Sequence, residues 1–285
     1  MSKERVAPCV AVLLALAAGG CMPPSWGANA LLHPQRRPMT RQPNRPADAV
    51  EFDGDGGVKL KGWWFRGNAD ARRGTVVYLH GVADNRGSSV GVADHFVARG
   101  FEVIAFDSRA HGESGGDVCT YGFYEKGDLR RVLDRITTKP IVLMGVSMGA
   151  AIALQEAADD RRVGAVVAVS PYSDLRTAAR ERAPWFASEG NLAEAFRIAE
   201  AQGNFRVDDV APMAVAARIT APTLIVHGER DDETPAVHSQ RIFAALREPK
   251  RLIIVAGAGH NHVLGAKEWH EIDGWIDAAL APRAP

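Results

Sequence analysis

The chain lacks an excess of charge of either sign: 34 Lys and Arg stand against 34 Asp and Glu. A nucleic-acid partner requires a basic footprint, so none is expected. Its glycine-rich turns have neither the dinucleotide-binding nor the phosphate-loop spacing, and no nucleotide cofactor is expected. It also lacks a long apolar run. The stretch from Val10 to Ala18 falls far short of the ~20 residues that cross a bilayer, so a permanent transmembrane helix is not expected. There are no internal repeats and no long low-complexity tracts. Only three cysteines occur, at positions 9, 21 and 119. What remains is a 285-residue chain with ample length for one large α/β unit and its buried core.

The first residues differ in character from the rest. Lys3 and Arg5 precede the apolar run, and Gly19, Gly20 and Cys21 follow it. Residues 1–21 therefore read as an export signal. Small residues directly before Cys21 resemble a bacterial lipoprotein signal. That resemblance implies lipidation of Cys21 as the mature N-terminus and attachment to the membrane of a bacterial envelope. Ala28-Asn29-Ala30 offers a competing cleavage site, which would give a periplasmic or secreted protein. If Cys9 is removed and Cys21 lipidated, Cys119 is left alone and no internal disulfide forms. No base is implied beside Cys119, so it reads as a packed thiol. Residues 22–47 read as a linker or arm. Pro34, Pro38, Pro43 and Pro46 alternate with Arg36, Arg37, Arg41 and Arg45, a composition that favours extended backbone. It serves either as a basic tether near anionic lipid or as an arm lying across the domain.

The folded domain is expected over residues 48–285. Val50 to Phe52 and Val58 to Phe65 flank the turn-rich Asp53-Gly54-Asp55-Gly56-Gly57, the pattern of a hairpin. Short apolar runs then recur at Thr75 to Leu79, Val103 to Phe106, Ile141 to Val146, Val163 to Val169, Thr223 to Val226 and Leu252 to Val255. Helix-like stretches separate them; Leu129, Val132, Leu133 and Ile136 share one helical face. This alternation predicts an α/β protein with a doubly wound, mostly parallel sheet. His80, Asp107, Ser147, His227 and Gly257 fall at or just after strand ends, where such sheets gather ligands. The rhythm breaks between about 172 and 215, where helix-like pieces carry Trp185, Phe186, Leu192, Phe196 and Phe205. That insertion is expected to form a helical lid, its apolar residues either lining an acyl pocket or packing the lid onto the sheet.

Gly145-Val146-Ser147-Met148-Gly149 joins a strand to a helix through a sharp turn with serine at its apex. The bend exposes the hydroxyl, and the two glycines leave room for close backbone. The helix N-terminus and the Met148 N–H favour the negative charge that develops in acyl transfer. Serine is a poor nucleophile at neutral pH and needs a base, itself oriented by a carboxylate. Asp231, Asp232 and Glu233 supply carboxylates after one strand, and His260 and His262 supply imidazoles after the last. The paired histidines have no acidic or cysteine partner nearby that completes a metal-ligand set.

The segments HGVADN, FDSRAHGESGG, TYGFYEKGDL, GVSMG, HGERDDETP and GAGHNH, spread over about residues 48 to 280, together resemble the α/β-hydrolases. The resemblance implies Ser147 as nucleophile, Asp231 as acid and His260 as base, with the backbone N–H groups of Met148 and Val82 as the oxyanion hole. His262 becomes a loop residue. It further implies that His80, Asp107, Arg109, His111 and Ser114 brace their loops; His227 reads as a satisfied strand-end histidine. The expected function is hydrolysis of small-molecule carboxylic esters or thioesters through an acyl-enzyme, with neither metal nor organic cofactor. An aminopeptidase-like or other amidase activity is the alternative within the same machinery. A noncatalytic binding protein on the same fold is the alternative outside it.

Overall fold

A computed structural model describes residues 23–67 and 72–281. The expected export signal, with Cys9 and Cys21, lies outside the described residues. The domain begins with a hairpin, β1 (Asp48–Asp53) and β2 (Lys59–Phe65), paired antiparallel. Gly56 and Gly57 turn it with φ of 70° and 78°, a region open to glycine and costly for most other residues. Six further strands follow: β3 (Thr75–Leu79), β4 (Glu102–Phe106), β5 (Ile141–Val146), β6 (Val163–Val169), β7 (Thr223–Gly228) and β8 (Lys250–Val255). Their order across the sheet is β1-β2-β4-β3-β5-β6-β7-β8. Strand β2 also runs antiparallel to β4, and every pairing from β4 to β8 is parallel.

The central strands are largely apolar, as strands covered on both faces must be. Their period of two still decides which layer each residue joins. On β3, Val77 and Leu79 face one layer and Val76 and Tyr78 the other. The first layer holds α3 (Glu125–Leu133), α4 (Met148–Ala157) and α8 (Val237–Ala245), through Leu129, Ile152 and Ile242. The second holds α2 (Val90–Ala98) and α9 (Ala266–Leu280), through Phe96, Ile272 and Ile276. Between β6 and β7 the chain forms α5 (Leu175–Glu181), α6 (Glu189–Gly203) and α7 (Pro212–Val215), with no strand. In this insertion Phe196 and Phe205 are buried in the first core layer and Leu192 packs against it, whereas Trp185 and Phe186 are exposed.

The segment expected as a linker or arm is more integrated than its composition implies. Pro24–Leu32 is a helix, α1, with Pro24 in its first turn, where a missing N–H costs nothing. Its Ala28 and Leu32 are buried in the same cluster as Phe196, Ala199 and Phe205. The Leu32 carbonyl accepts from the Cys119 N–H at 2.8 Å, and His33 Nδ1 donates to the Asp117 carbonyl at 2.8 Å. The extended stretch after it crosses the loops that follow β4 and β3. Arg36 donates to the carbonyls of Ser114 and Gly116, and Asn85 to those of Arg37 and Pro38. Arg45 reaches Asp94 on α2 at 2.8 Å.

Leu32→Ala removes a fully buried side chain from the contact between α1 and the insertion. It is expected to lower unfolding stability by about 2–5 kcal/mol, read as a lower denaturant midpoint with an unchanged slope. An effect below about 0.5 kcal/mol, as for a free surface segment, would contradict the docked helix.

Candidate active site

Ser147 lies between the last residue of β5 and the first of α4, at φ 52° and ψ −114°. That conformation costs a non-glycine residue on the order of 1–3 kcal/mol and persists only where its surroundings enforce it. Here they do. A Cβ on Gly145 would lie 2.3 Å from the Gly149 backbone, and one on Gly149 would lie 2.2 Å from the Leu79 carbonyl oxygen. The elbow is therefore squeezed between its own helix and β3, and only glycine fits at both flanks. The Ser147 N–H is held by the Val169 carbonyl at 2.8 Å. Among the described residues no hydrogen bond joins the Ser147 hydroxyl to His260, as is common for such pairs before substrate closes the site.

The loop after β3 passes beside the serine: a Cβ on Gly81 would be 3.6 Å from Ser147 Cβ. His80 controls the next peptide. Its Nε2 accepts from the Ser108 N–H at 3.0 Å, which leaves Nδ1 to donate to the Gly81 carbonyl at 2.8 Å. In a trans peptide the C=O and N–H point to opposite sides, so fixing the Gly81 carbonyl also fixes the direction of the Val82 N–H. Among the described residues, neither the Val82 nor the Met148 N–H makes a hydrogen bond.

Asp231 and His260 come from the loops after β7 and β8. The two loops are stitched together by backbone: Arg230 N–H to the Ala258 carbonyl at 2.8 Å, and Glu229 N–H to the Val255 carbonyl at 3.0 Å. Gly228 must be glycine, because a Cβ there would lie 2.5 Å from the Ala258 carbonyl oxygen. The result brings His260 Nδ1 to 2.7 Å from Asp231 Oδ2, with both residues buried. The other carboxylate oxygen, Oδ1, accepts the N–H groups of Thr234 at 2.8 Å and Glu233 at 3.1 Å. Asp232 and His262 are exposed, and Glu233 turns out to accept from Asn261.

A second histidine also reaches Asp231. His227 Nε2 lies 3.0 Å from Asp231 Oδ2 and 2.7 Å from the Thr234 carbonyl. A carbonyl only accepts, so Nε2 carries the proton, and Nδ1 accepts from the Ser239 hydroxyl at 2.6 Å. Sequence reasoning placed His227 at a strand end and missed this contact. The four-residue spacing to Asp231 was the available signal, but the direction of the ring is set by Ser239 on α8. Burial alone would raise the Asp231 carboxyl; the donors His227, His260 and Thr234 outweigh it and hold the group well below the usual carboxylate range.

Several other polar residues around these loops brace them. Asp107 accepts from the Arg86 backbone at 2.6 Å, from its guanidinium, and from the Glu113 N–H at 2.9 Å. Arg109 grips Asp128 with two bonds of 2.7 Å, and the Ser114 hydroxyl donates to the Asp107 carbonyl at 2.6 Å. Cys119 is buried with its sulfur 3.6 Å from that of Met148, and burial pushes its thiol well up, so it is no nucleophile. Among the described residues no group of three His, Cys, Asp or Glu side chains is placed to hold a metal ion.

His111 is buried beside His80, with ring centroids 5.2 Å apart, and its Nε2 has no partner. Burial, and then the neighbouring His80, push its pKa down from 6.5 to about 3. The folded state thus resists a proton that the unfolded chain accepts, so stability falls as pH drops from 6.5 towards 3. The expected slope from this group is up to about 1.4 kcal/mol per pH unit. Urea midpoints measured between pH 7.5 and 4.5 are expected to fall more steeply for the wild type than for His111→Gln. Parallel curves would contradict the buried neutral ring.

Comparison with known proteins follows the same lines. The family model described as alpha/beta hydrolase fold matches residues 74–193. The Bacillus subtilis protein YqkD is 34% identical over 196 residues, which cover 65% of this chain and 64% of YqkD. The chain therefore matches less than two thirds of that relative's length. Escherichia coli YfhR is 29% identical over 223 residues, covering 75% of this chain and 73% of YfhR. Among solved structures, the Pyrococcus furiosus esterase Pf2001 superposes with a TM-score of 0.71 at 24% identity, over 87% of this chain and all of that one.

Proposed function

Because the chain has the α/β-hydrolase fold, we propose that it is a serine hydrolase of carboxylic esters, acting through Ser147, His260 and Asp231. The observation that carries this reading is the buried 2.7 Å bond between His260 Nδ1 and Asp231 Oδ2, two and three strands along the sheet from the Ser147 elbow. Asp231 is a permanent carboxylate, so it holds the proton of His260 on Nδ1 and leaves Nε2 as the base. Nε2 takes the proton of Ser147 as Oγ attacks the carbonyl carbon. The Met148 and Val82 N–H groups receive the oxyanion. His260 then protonates the departing alcohol or thiol, and water repeats the sequence to release the acid.

Esters are favoured over amides by the esterase among the structural neighbours. Chromogenic phenyl esters of short and long acids are expected to turn over at least tenfold faster than aminoacyl anilides, a difference of about 1.4 kcal/mol in barrier. Asp231→Asn, which favours the wrong His260 tautomer, is expected to reduce kcat by a factor on the order of 10³–10⁴. Anilide turnover above ester turnover would move the assignment to an amidase.

The same reading includes export with lipidation at Cys21. Its competitor, cleavage after Ala30, would remove most of α1, including the buried Ala28. Cleavage before Cys21 leaves the helix whole.

A further inference from the structure

We propose that the tip of the helical insertion, built from Trp185 and Phe186 and lying beside the start of α1, docks on a lipid bilayer. The inference rests on the anchoring reading of Cys21 and adds an orientation to it.

The first observation is exposure. Trp185 is 95% exposed, Trp26 61% and Phe186 47%. Large aromatic rings dominate burial energetics, and tryptophan combines an apolar body with an indole N–H suited to the membrane–water boundary. Trp185 and Phe186 sit together in the connection between α5 and α6, their rings edge to face with centroids 5.7 Å apart. The acyl-pocket and core-packing roles expected for them are therefore not the ones their positions serve.

The second observation is where the described chain begins. Pro23, Pro24 and Gly27 line a shallow crevice whose other wall is Phe186, Leu192 and Ala195. The walls are close: a Cβ on Gly27 would lie 3.1 Å from Ala195 Cβ. The N-terminal end of α1 and the aromatic tip are thus neighbours. Cys21 precedes Pro23 by two residues, a span of at most ~7 Å even when fully extended. A tether with slack would let the domain sit at any angle to the bilayer. From Pro24 onward the described chain is fixed, because α1 is locked against α6 through Ala28 and Leu32. A lipid on Cys21 therefore places the crevice and the aromatic tip at the membrane surface.

The third observation concerns consequence. The tip leaves α5 through Arg182, which donates to the Glu233 carbonyl at 2.9 Å and the Thr234 hydroxyl at 2.7 Å. Thr234 in turn donates its N–H to Asp231. The membrane-facing tip is two hydrogen bonds from the carboxylate of the site. An ion pair between Arg180 and Glu189 at 2.8 Å flanks the tip.

The test uses the full chain, purified from membranes and reconstituted in vesicles of phosphatidylethanolamine and phosphatidylglycerol, with soluble Cys21→Ser full chain as reference. The Trp185 fluorescence is isolated by subtracting a Trp185→Phe variant. Iodide quenching of that component is expected to fall at least about twofold on vesicle attachment, and lipids brominated near the headgroup are expected to quench it. The double variant Trp185→Ser, Phe186→Ser on the Cys21→Ser background is expected to lose co-sedimentation with vesicles while keeping its circular dichroism and its turnover of a soluble ester. Undiminished iodide access to Trp185 in vesicle-bound protein overturns the proposal. So does protection that appears without vesicles and grows with protein concentration, which would assign the surface to a second copy of the chain. Intact mass of the membrane fraction reports lipidation of Cys21 separately; if no lipid is found, the Cys21→Ser arm still decides the surface. Ester turnover reports the hydrolase reading independently of both.

Discussion

A carboxylate kept ionised inside the protein is the constraint on which the rest depends. Asp231 is buried, and an unpaired charge there would be prohibitively costly. Its charge persists because donors converge on both oxygens: His227 and His260 on one, the N–H groups of Glu233 and Thr234 on the other. Each donor calls on a different part of the fold. The N–H pair requires the tight turn after β7, His227 requires Ser239 on α8, and His260 requires the β8 loop to be stitched to the β7 loop. The carboxylate thus organises one end of the sheet, and that organisation sets the tautomer of His260.

The opposite flank is organised by steric exclusion. Gly145 and Gly149 let β5, α4 and β3 approach more closely than any side chain permits, and this closeness holds Ser147 in its strained conformation. The same compression brings Gly81 beside the serine, where His80 fixes the following peptide. Strain, a locked peptide and a buried carboxylate are three separate devices, all supported by a sheet whose central strands are buried on both faces.

Much of this was legible in the sequence, for identifiable reasons. The apolar runs at 75–79, 141–146 and 163–169 are strands because nothing but the interior of a parallel sheet accommodates so many β-branched residues in succession. The sequence also placed Ser147, Asp231 and His260 after strand ends, since turn glycines mark those ends. Helix α1 was not legible. Its sequence, PSWGANALL, has a weak apolar stripe and an internal glycine, and so short a helix gains its stability from packing on α6 rather than from propensity. Nor was the exposure of Trp185 and Phe186 legible: aromatic residues in an insertion usually pack, and only the placement of α5 and α6 shows that these two do not. The contact of His227 with Asp231 depends on a ring orientation that spacing alone does not determine.

The most direct test of the central claim is intact-mass spectrometry of the folded protein after exposure to an active-site fluorophosphonate, with Ser147→Ala alongside. The account predicts a single adduct on Ser147, absent from the Ser147→Ala protein and strongly slowed by Asp231→Asn, because the phosphonylation needs the same oriented base as acyl transfer. Well-folded protein that stays unmodified at Ser147, or is labelled equally fast without the Asp231 carboxylate, would contradict it.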